Sequence, residues 1–184
     1  MESKEKNTKE KILEEALKLF AQSGYMGTSM NDIASKLGVT KAALYKHYKS
    51  KQEILDSIIE KMNELDIERV KLYEMPEGDL EKVTAEYKET AFDKIKQFTK
   101  VQFLHWTEEE FSSCFRKMMT LEQYREPQMA QLYQNYLASG PLAYMEALFS
   151  GMLGDAEKAR QTALDFYGPI FLLYSIYDGA EDKS

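Results

Sequence analysis

The chain has 184 residues, of which 43% are apolar and 30% charged, with nine Gly, four Pro and a single Cys. That is enough apolar material for one or two compact cores, and it excludes disorder, collagen-like repeats and a disulfide framework. The net charge of −7 disfavours a phosphate partner only on average: residues 1–62 hold eleven Lys against nine acids, a balance of +2, while the remainder stands at −9.

No run reaches the eighteen or so apolar residues of a membrane span, and Met1 to Lys11 is polar where a signal peptide would be apolar, so a cytoplasmic protein without a membrane partner is expected. The first helix is read from Ile12, Leu13, Ala16, Leu19 and Phe20, capped by Asn7 with Glu10 and stopped at Gly24. A short helix follows, opened by Ser29 and Asp32 in capping-box spacing, striped with Met30, Ile33, Ala34 and Leu37, and ended by Gly38. Thr40 caps a third, with Leu44 and Tyr48 on its inner side. Ser50 and Glu53 open a fourth that carries Ile54, Leu55, Ile58, Ile59 and Met62 and continues to just before Pro76.

Two short helices joined by Gly38-Val39-Thr40, with small Ala34 four residues before the glycine, form a helix-turn-helix pattern over about residues 29–48. The face of the third helix remote from Leu44 carries Lys41, Ala42, Tyr45 and Lys46, inside a stretch without acids from Ile33 to Gln52. Small and basic side chains at the start of a helix fit a major groove, where lysine reaches guanine acceptors and alanine meets thymine methyls.

The run Gly24 to Ala34, then Leu37-Gly38-Val39-Thr40-Lys41, then Leu44 to Lys51 and Glu53-Ile54-Leu55 resembles the N-terminal signature of TetR-family transcriptional regulators, over about residues 8–60. The resemblance implies an all-α homodimer: a three-helix DNA-binding domain, 6–66, and a C-terminal ligand-binding and dimerisation bundle, 67–184. By position it implies base or backbone contacts at Thr40, Lys41, Ala42, Tyr45 and Lys46, and phosphate contacts at Thr28, His47 and Lys51. Tyr48 stands where the family often has phenylalanine, and its buried hydroxyl would need a partner.

Beyond Pro76-Glu77-Gly78, Asp79 caps a helix whose stripe Leu80, Val83, Tyr87, Ala91, Ile95 and Phe98 predicts one rod to about Trp106, roughly 40 Å long. Thr107-Glu108-Glu109-Glu110 reads as a capping box leading to Phe111, Phe115, Met118 and Met119. Pro127 opens the next helix, Ser139-Gly140-Pro141 breaks or kinks it, Gly151 to Asp155 is a turn, and Asp155 caps a last helix that Pro169 should bend. Tyr167 to Tyr177 is apolar nearly all round, so this helix and residues 142–149 are expected to meet a second copy.

Phe103, Trp106, Tyr133 and Tyr136 are the candidates for lining an effector cavity in the bundle. Cys114 reads as a small buried residue, and two His with one Cys leave no dedicated metal site and no cofactor. No phosphate loop or nucleophile elbow suggests an enzyme. The expectation is a ligand-responsive repressor that recognises an inverted-repeat double-stranded DNA operator and is released by a small hydrophobic effector. The alternative is a helical module for hydrophobic ligands or proteins that does not bind DNA.

Overall fold

A computed structural model describes residues 2–181, with side chains from residue 7 onward. Among the described residues it is all helix, without strands: α1 (Glu2–Ser23), α2 (Met30–Lys36), α3 (Lys41–Tyr45), α4 (Lys51–Leu72), α5 (Leu80–Glu89), α6 (Phe92–Thr107), α7 (Glu110–Glu122), α8 (Pro127–Leu137), α9 (Ser139–Leu153) and α10 (Ala156–Gly179). The chain forms two compact units, Met1–Ile67 with Glu110–Ala130, and Glu68–Glu109 with Gln131–Ser184.

In the first unit, Ile12, Leu13, Ala16, Leu17 and Phe20 of α1, Ile33 and Ala34 of α2, Leu44 of α3 and Ile54, Leu55, Ile58 and Met62 of α4 are all buried and belong to its core. Each of these side chains larger than alanine contributes about 1.5–3 kcal/mol on burial. The core is completed from far along the chain, because α1 packs extensively on α7, whose Phe115, Met118 and Met119 are fully buried. Lys18 joins the two helices through Glu110 at 3.1 Å, and Lys61 of α4 lies 4.6 Å from the Phe111 ring centre. The expected cap at Asn7 is not made: α1 already begins at Glu2, since the Glu- and Lys-rich start favours helix and nothing in it breaks one.

At its far end α4 stops in a Schellman turn, in which Met75 N–H donates to Val70 O and Glu74 N–H to Lys71 O, both at 3.0 Å. Glu74 occupies the left-handed position at φ 48, where glycine is usual.

In the second unit the single rod expected from Leu80 to Trp106 is two helices, broken at Thr90 and Ala91, both in extended conformation with ψ 128 and 135. The Thr90 hydroxyl donates to Glu86 O at 2.8 Å, sealing the end of α5. The two halves of the apolar stripe serve different neighbours, α5 packing on α9 and α6 on α10. Thr107, expected to open a helix, caps no helix start. It is the last residue of α6, and its hydroxyl donates to Phe103 O at 2.8 Å, while α7 begins only at Glu110. α9 and α10 form the most extensive pairing, joined through Gly154 at φ 65 and the Asp155 cap, whose carboxylate accepts from Lys158 N–H at 3.1 Å. α10 continues through Pro169. Where α5 crosses α9, a side chain at Gly151 would strike Thr84.

Candidate nucleic-acid interface

The helix-turn-helix is held by caps at every joint. Ser29 Oγ accepts from Asp32 N–H at 3.2 Å, and the Asp32 carboxylate accepts from Ser29 N–H at 2.8 Å and from its hydroxyl at 2.6 Å. Those bonds to Ser29 hold the Asp32 carboxyl below the usual carboxylate range. α2 ends in a second Schellman turn, with Val39 N–H on Ala34 O at 3.0 Å, Gly38 N–H on Ser35 O at 3.1 Å, and Gly38 at φ 66. Nothing crowds Gly38, so glycine is needed there for its backbone freedom. Thr40 Oγ1 then accepts from Ala43 N–H at 3.1 Å and opens α3. The Glu53 carboxylate accepts from Lys49 N–H at 2.6 Å and Ser50 Oγ from Glu53 N–H at 3.1 Å, starting α4. Both acids that flank the acid-free stretch are thus spent on caps.

With Leu44 and Tyr48 buried, α3 turns Thr40, Lys41, Ala42, Tyr45 and Lys46 to solvent. The Lys41 ammonium lies 5.8 Å from the centre of the Tyr45 ring, so the two form one cationic and aromatic patch. Lys36 and Lys49 are exposed as well.

The remaining candidates lie differently. His47 is half-buried, its Nδ1 buried without a hydrogen-bond partner. Thr28 is 3% exposed, and its hydroxyl donates to Gly24 O at 2.8 Å. Lys51, half-buried at the start of α4, donates to Tyr25 O at 2.5 Å and Thr28 O at 2.8 Å and sits 4.2 Å from the Tyr25 ring centre. Burial draws its pKa below the usual lysine value. The sequence pattern carried no signal for this bracing of the α1–α2 turn, because its partners are backbone carbonyls. The Tyr25 hydroxyl joins in by donating to Gln52 Oε1 at 3.0 Å.

The effector candidates all belong to the second unit. Phe103 stacks on Tyr174 with ring centres 5.5 Å apart and lines an apolar groove of about 350 Å³ with Ile95, Phe166, Ile170 and Leu173, rimmed by Lys96 and Lys100. Trp106 is buried against Tyr136, 6.2 Å between ring centres, and Tyr133 meets Phe171 at 6.5 Å. A polar cluster centres on the buried Arg69 and His105: Arg69 Nη1 donates to Gln102 Oε1 at 2.7 Å, and Arg69 Nη2 lies 2.6 Å from His105 Nε2, with His105 Nδ1 2.7 Å from Glu109 Oε2. A guanidinium only donates, so Nε2 accepts and the imidazole proton sits on Nδ1, facing Glu109. Cys114 is half-buried, and burial pushes its thiol up. Among the described residues no group of three or more His, Cys, Asp or Glu could hold a metal ion, and no helix is long and apolar enough to cross a membrane.

Residues 12–58 match the family of bacterial regulatory proteins, tetR family. Over 52 residues the chain is 42% identical to the biofilm operon icaADBC HTH-type negative transcriptional regulator IcaR of Staphylococcus epidermidis, and over 51 residues 41% identical to IcaR of Staphylococcus aureus. These matches span 28% of this chain and 28% and 27% of the two relatives. In fold the chain is similar to a proposed fatty acid metabolism regulator of Clostridium perfringens, with TM-score 0.59, 23% identity, and coverage of 94% of this chain and 89% of the other. It is also similar to a TetR/AcrR-family transcriptional regulator of Thermobifida fusca, with TM-score 0.51, 20% identity, and coverage of 96% and 88%.

Proposed function

We infer, from a TetR-family N-terminal domain on an all-helical chain, that this protein is a sequence-specific DNA-binding transcriptional regulator, acting as a repressor. The carrying observation is the solvent-facing set Thr40, Lys41, Ala42, Tyr45 and Lys46 on a capped α3, in a stretch free of acids. Lys41 and Lys46 supply charge to phosphate and base edges, Ala42 and Tyr45 supply apolar contact, and the Thr40 hydroxyl keeps its proton for a phosphate oxygen while its oxygen caps the helix. His47 lies beside this surface as a further phosphate contact. Thr28 and Lys51 act beneath it, as braces of the turn, Lys51 retaining one N–H for phosphate.

Residues 6–66 are the reading domain and 67–184 the effector-binding and dimerisation domain. α10 leaves Leu164, Phe171, Leu172, Leu173 and Ile176 exposed, and α9 leaves Tyr144 and Leu153; an apolar surface of this kind on paired helices suits a second copy of the chain. Two reading domains related by a two-fold axis call for an inverted-repeat operator. The effector is a small hydrophobic molecule, and the groove beside Phe103 is its first candidate site. α4 contributes residues to both units, so an effector that prefers one disposition of this helix shifts the population bound to DNA, and DNA weakens effector binding reciprocally. The relatives matched are named as regulators, not enzymes, and the site of action is the cytoplasm, with the DNA.

Enrichment of random duplexes by the purified full-length chain tests the reading. A recovered inverted repeat whose binding weakens in Lys41→Ala and Lys46→Ala supports it. Equal retention of every duplex, or binding indifferent to both lysines, overturns it in favour of a ligand-binding module that does not use DNA.

A further inference from the structure

Glu122 ends α7 with a carboxylate that is 0% exposed and has no hydrogen-bond partner on either oxygen. Its ion partner is Arg125, whose Nη1 stands 3.7 Å from Oε1 on a side chain that is 65% exposed. Its other neighbour is the α1–α2 turn: a Cβ built on Gly24, at φ 81, would lie on top of Oε1. Burying a carboxylate without hydrogen bonds is destabilising, and an apolar residue at this position would avoid the penalty. The charge therefore calls for a reason beyond packing.

The turn that Glu122 touches is the one Lys51 holds. The carbonyls of Tyr25 and Thr28 receive the ammonium, and Thr28 is followed directly by Ser29, the cap of α2. Burial works against the charge on Lys51, and the Glu122 carboxylate, set against Gly24 beside the Tyr25 carbonyl that holds the ammonium, offsets part of that effect. We propose that Glu122 is a positioning residue for DNA reading: as the buried counter-charge of Lys51 it keeps that ammonium on the Tyr25 and Thr28 carbonyls, and so fixes the turn from which α2 and α3 are hung. Without the negative charge the half-buried ammonium moves out to water or to any phosphate. The turn loosens, and a cation becomes available to every duplex alike. The residue thus sets discrimination between sequences rather than affinity for DNA. The inference rests on the regulator reading above.

The test compares the full-length wild type, Glu122→Gln and Glu122→Asp on a duplex enriched by the wild type and on a random duplex of equal length, at several salt concentrations. Glu122→Gln, nearly the same shape, is expected to lose about tenfold in operator affinity, the loss of one charged clamp, while binding of the random duplex stays level or rises. Glu122→Asp, a poorer fit that keeps the charge, holds the operator-to-random ratio within about threefold of wild type. An unchanged ratio in the Gln variant, a parallel loss on both duplexes, or an Asp variant as impaired as the Gln variant overturns the proposal. If Glu122→Gln does not fold, Lys51→Ala decides: a reduced ratio supports the clamp, whereas an unchanged ratio with a shallower salt dependence marks a simple phosphate anchor and overturns it. A wild type that enriches no sequence instead defeats the regulator reading itself.

Discussion

Thr28→Val separates two roles for one hydroxyl. The resemblance to TetR-family regulators puts Thr28 on phosphate, whereas here its side chain is 3% exposed and donates to Gly24 O at 2.8 Å, with a longer approach of 3.4 Å to Leu19 O. Valine keeps the shape and branching and deletes only the donor. The Gly24 carbonyl then loses a buried partner, which costs about 1 kcal/mol, since a net hydrogen bond is worth 0.5–1.5 and an orphaned buried group somewhat more. For a chain of this size that is a melting shift of about 2–4 °C. The single tryptophan, Trp106, lies in the second unit and does not report on this turn. Far-UV circular dichroism melts, with hydrogen exchange at the amides of residues 24–28, follow the correct region. Faster exchange there, a lowered midpoint and operator binding weakened no more than the loosened turn requires are the expected outcome. A variant as stable as wild type that binds DNA less well refutes the reasoning and returns the hydroxyl to phosphate.

Four further outcomes are expected. Lys41→Ala and Lys46→Ala should each weaken binding to all duplexes and lower the slope of log K against log salt by about one, read by titration at graded ionic strength; an unchanged slope excludes phosphate contact. Glu74→Gly relieves a left-handed residue at φ 48 and should raise the urea midpoint by the equivalent of about 0.5–1 kcal/mol; a lower midpoint would show that the side chain matters more than the strain. Leu172→Glu and Ile176→Glu, on the exposed face of α10, should turn the proposed dimer into monomers in sedimentation velocity, and a dimer that survives both would move the interface elsewhere. Asp32 has a depressed folded-state pKa, so its stabilisation is present above the unfolded value of about 3.9 and fades as pH falls through the folded one. Asp32→Asn should therefore differ from wild type near neutrality and converge with it in acid, whereas a constant gap across pH would assign the effect to shape.

The caps of α2, α3 and α10 were legible in sequence because each is a short-range bargain between a side chain and backbone three residues on: Ser29 with Asp32, Thr40 with Ala43, Asp155 with Lys158. The turn at Gly38 was legible for the same reason. The break at Thr90 and Ala91 was not, because the stripe from Leu80 to Phe98 keeps helical period through it, and only the choice of partners, α9 for α5 and α10 for α6, divides it. Thr107 misled because threonine before acids fits a helix start, while the same hydroxyl also closes a helix end on a carbonyl four residues back. Of the proposed DNA contacts, the exposed residues of α3 follow from the phase of Leu44 and Tyr48. The inward turn of Thr28 and Lys51 depends on where the α1–α2 turn aims its carbonyls, which no periodicity encodes.

The union of α1 with α7 bears on the order of events during synthesis. When residue 67 leaves the ribosome, the amino-terminal helices still lack Phe115, Met118 and Met119. At translation speeds of about 5–20 residues per second, that apolar flank of α1 stays uncovered for several seconds, a window open to chaperones or to misassociation. A nascent chain cut short between α4 and α7 would thus hold every residue of the proposed reading surface and yet lack the α7 side chains that complete the core beneath it.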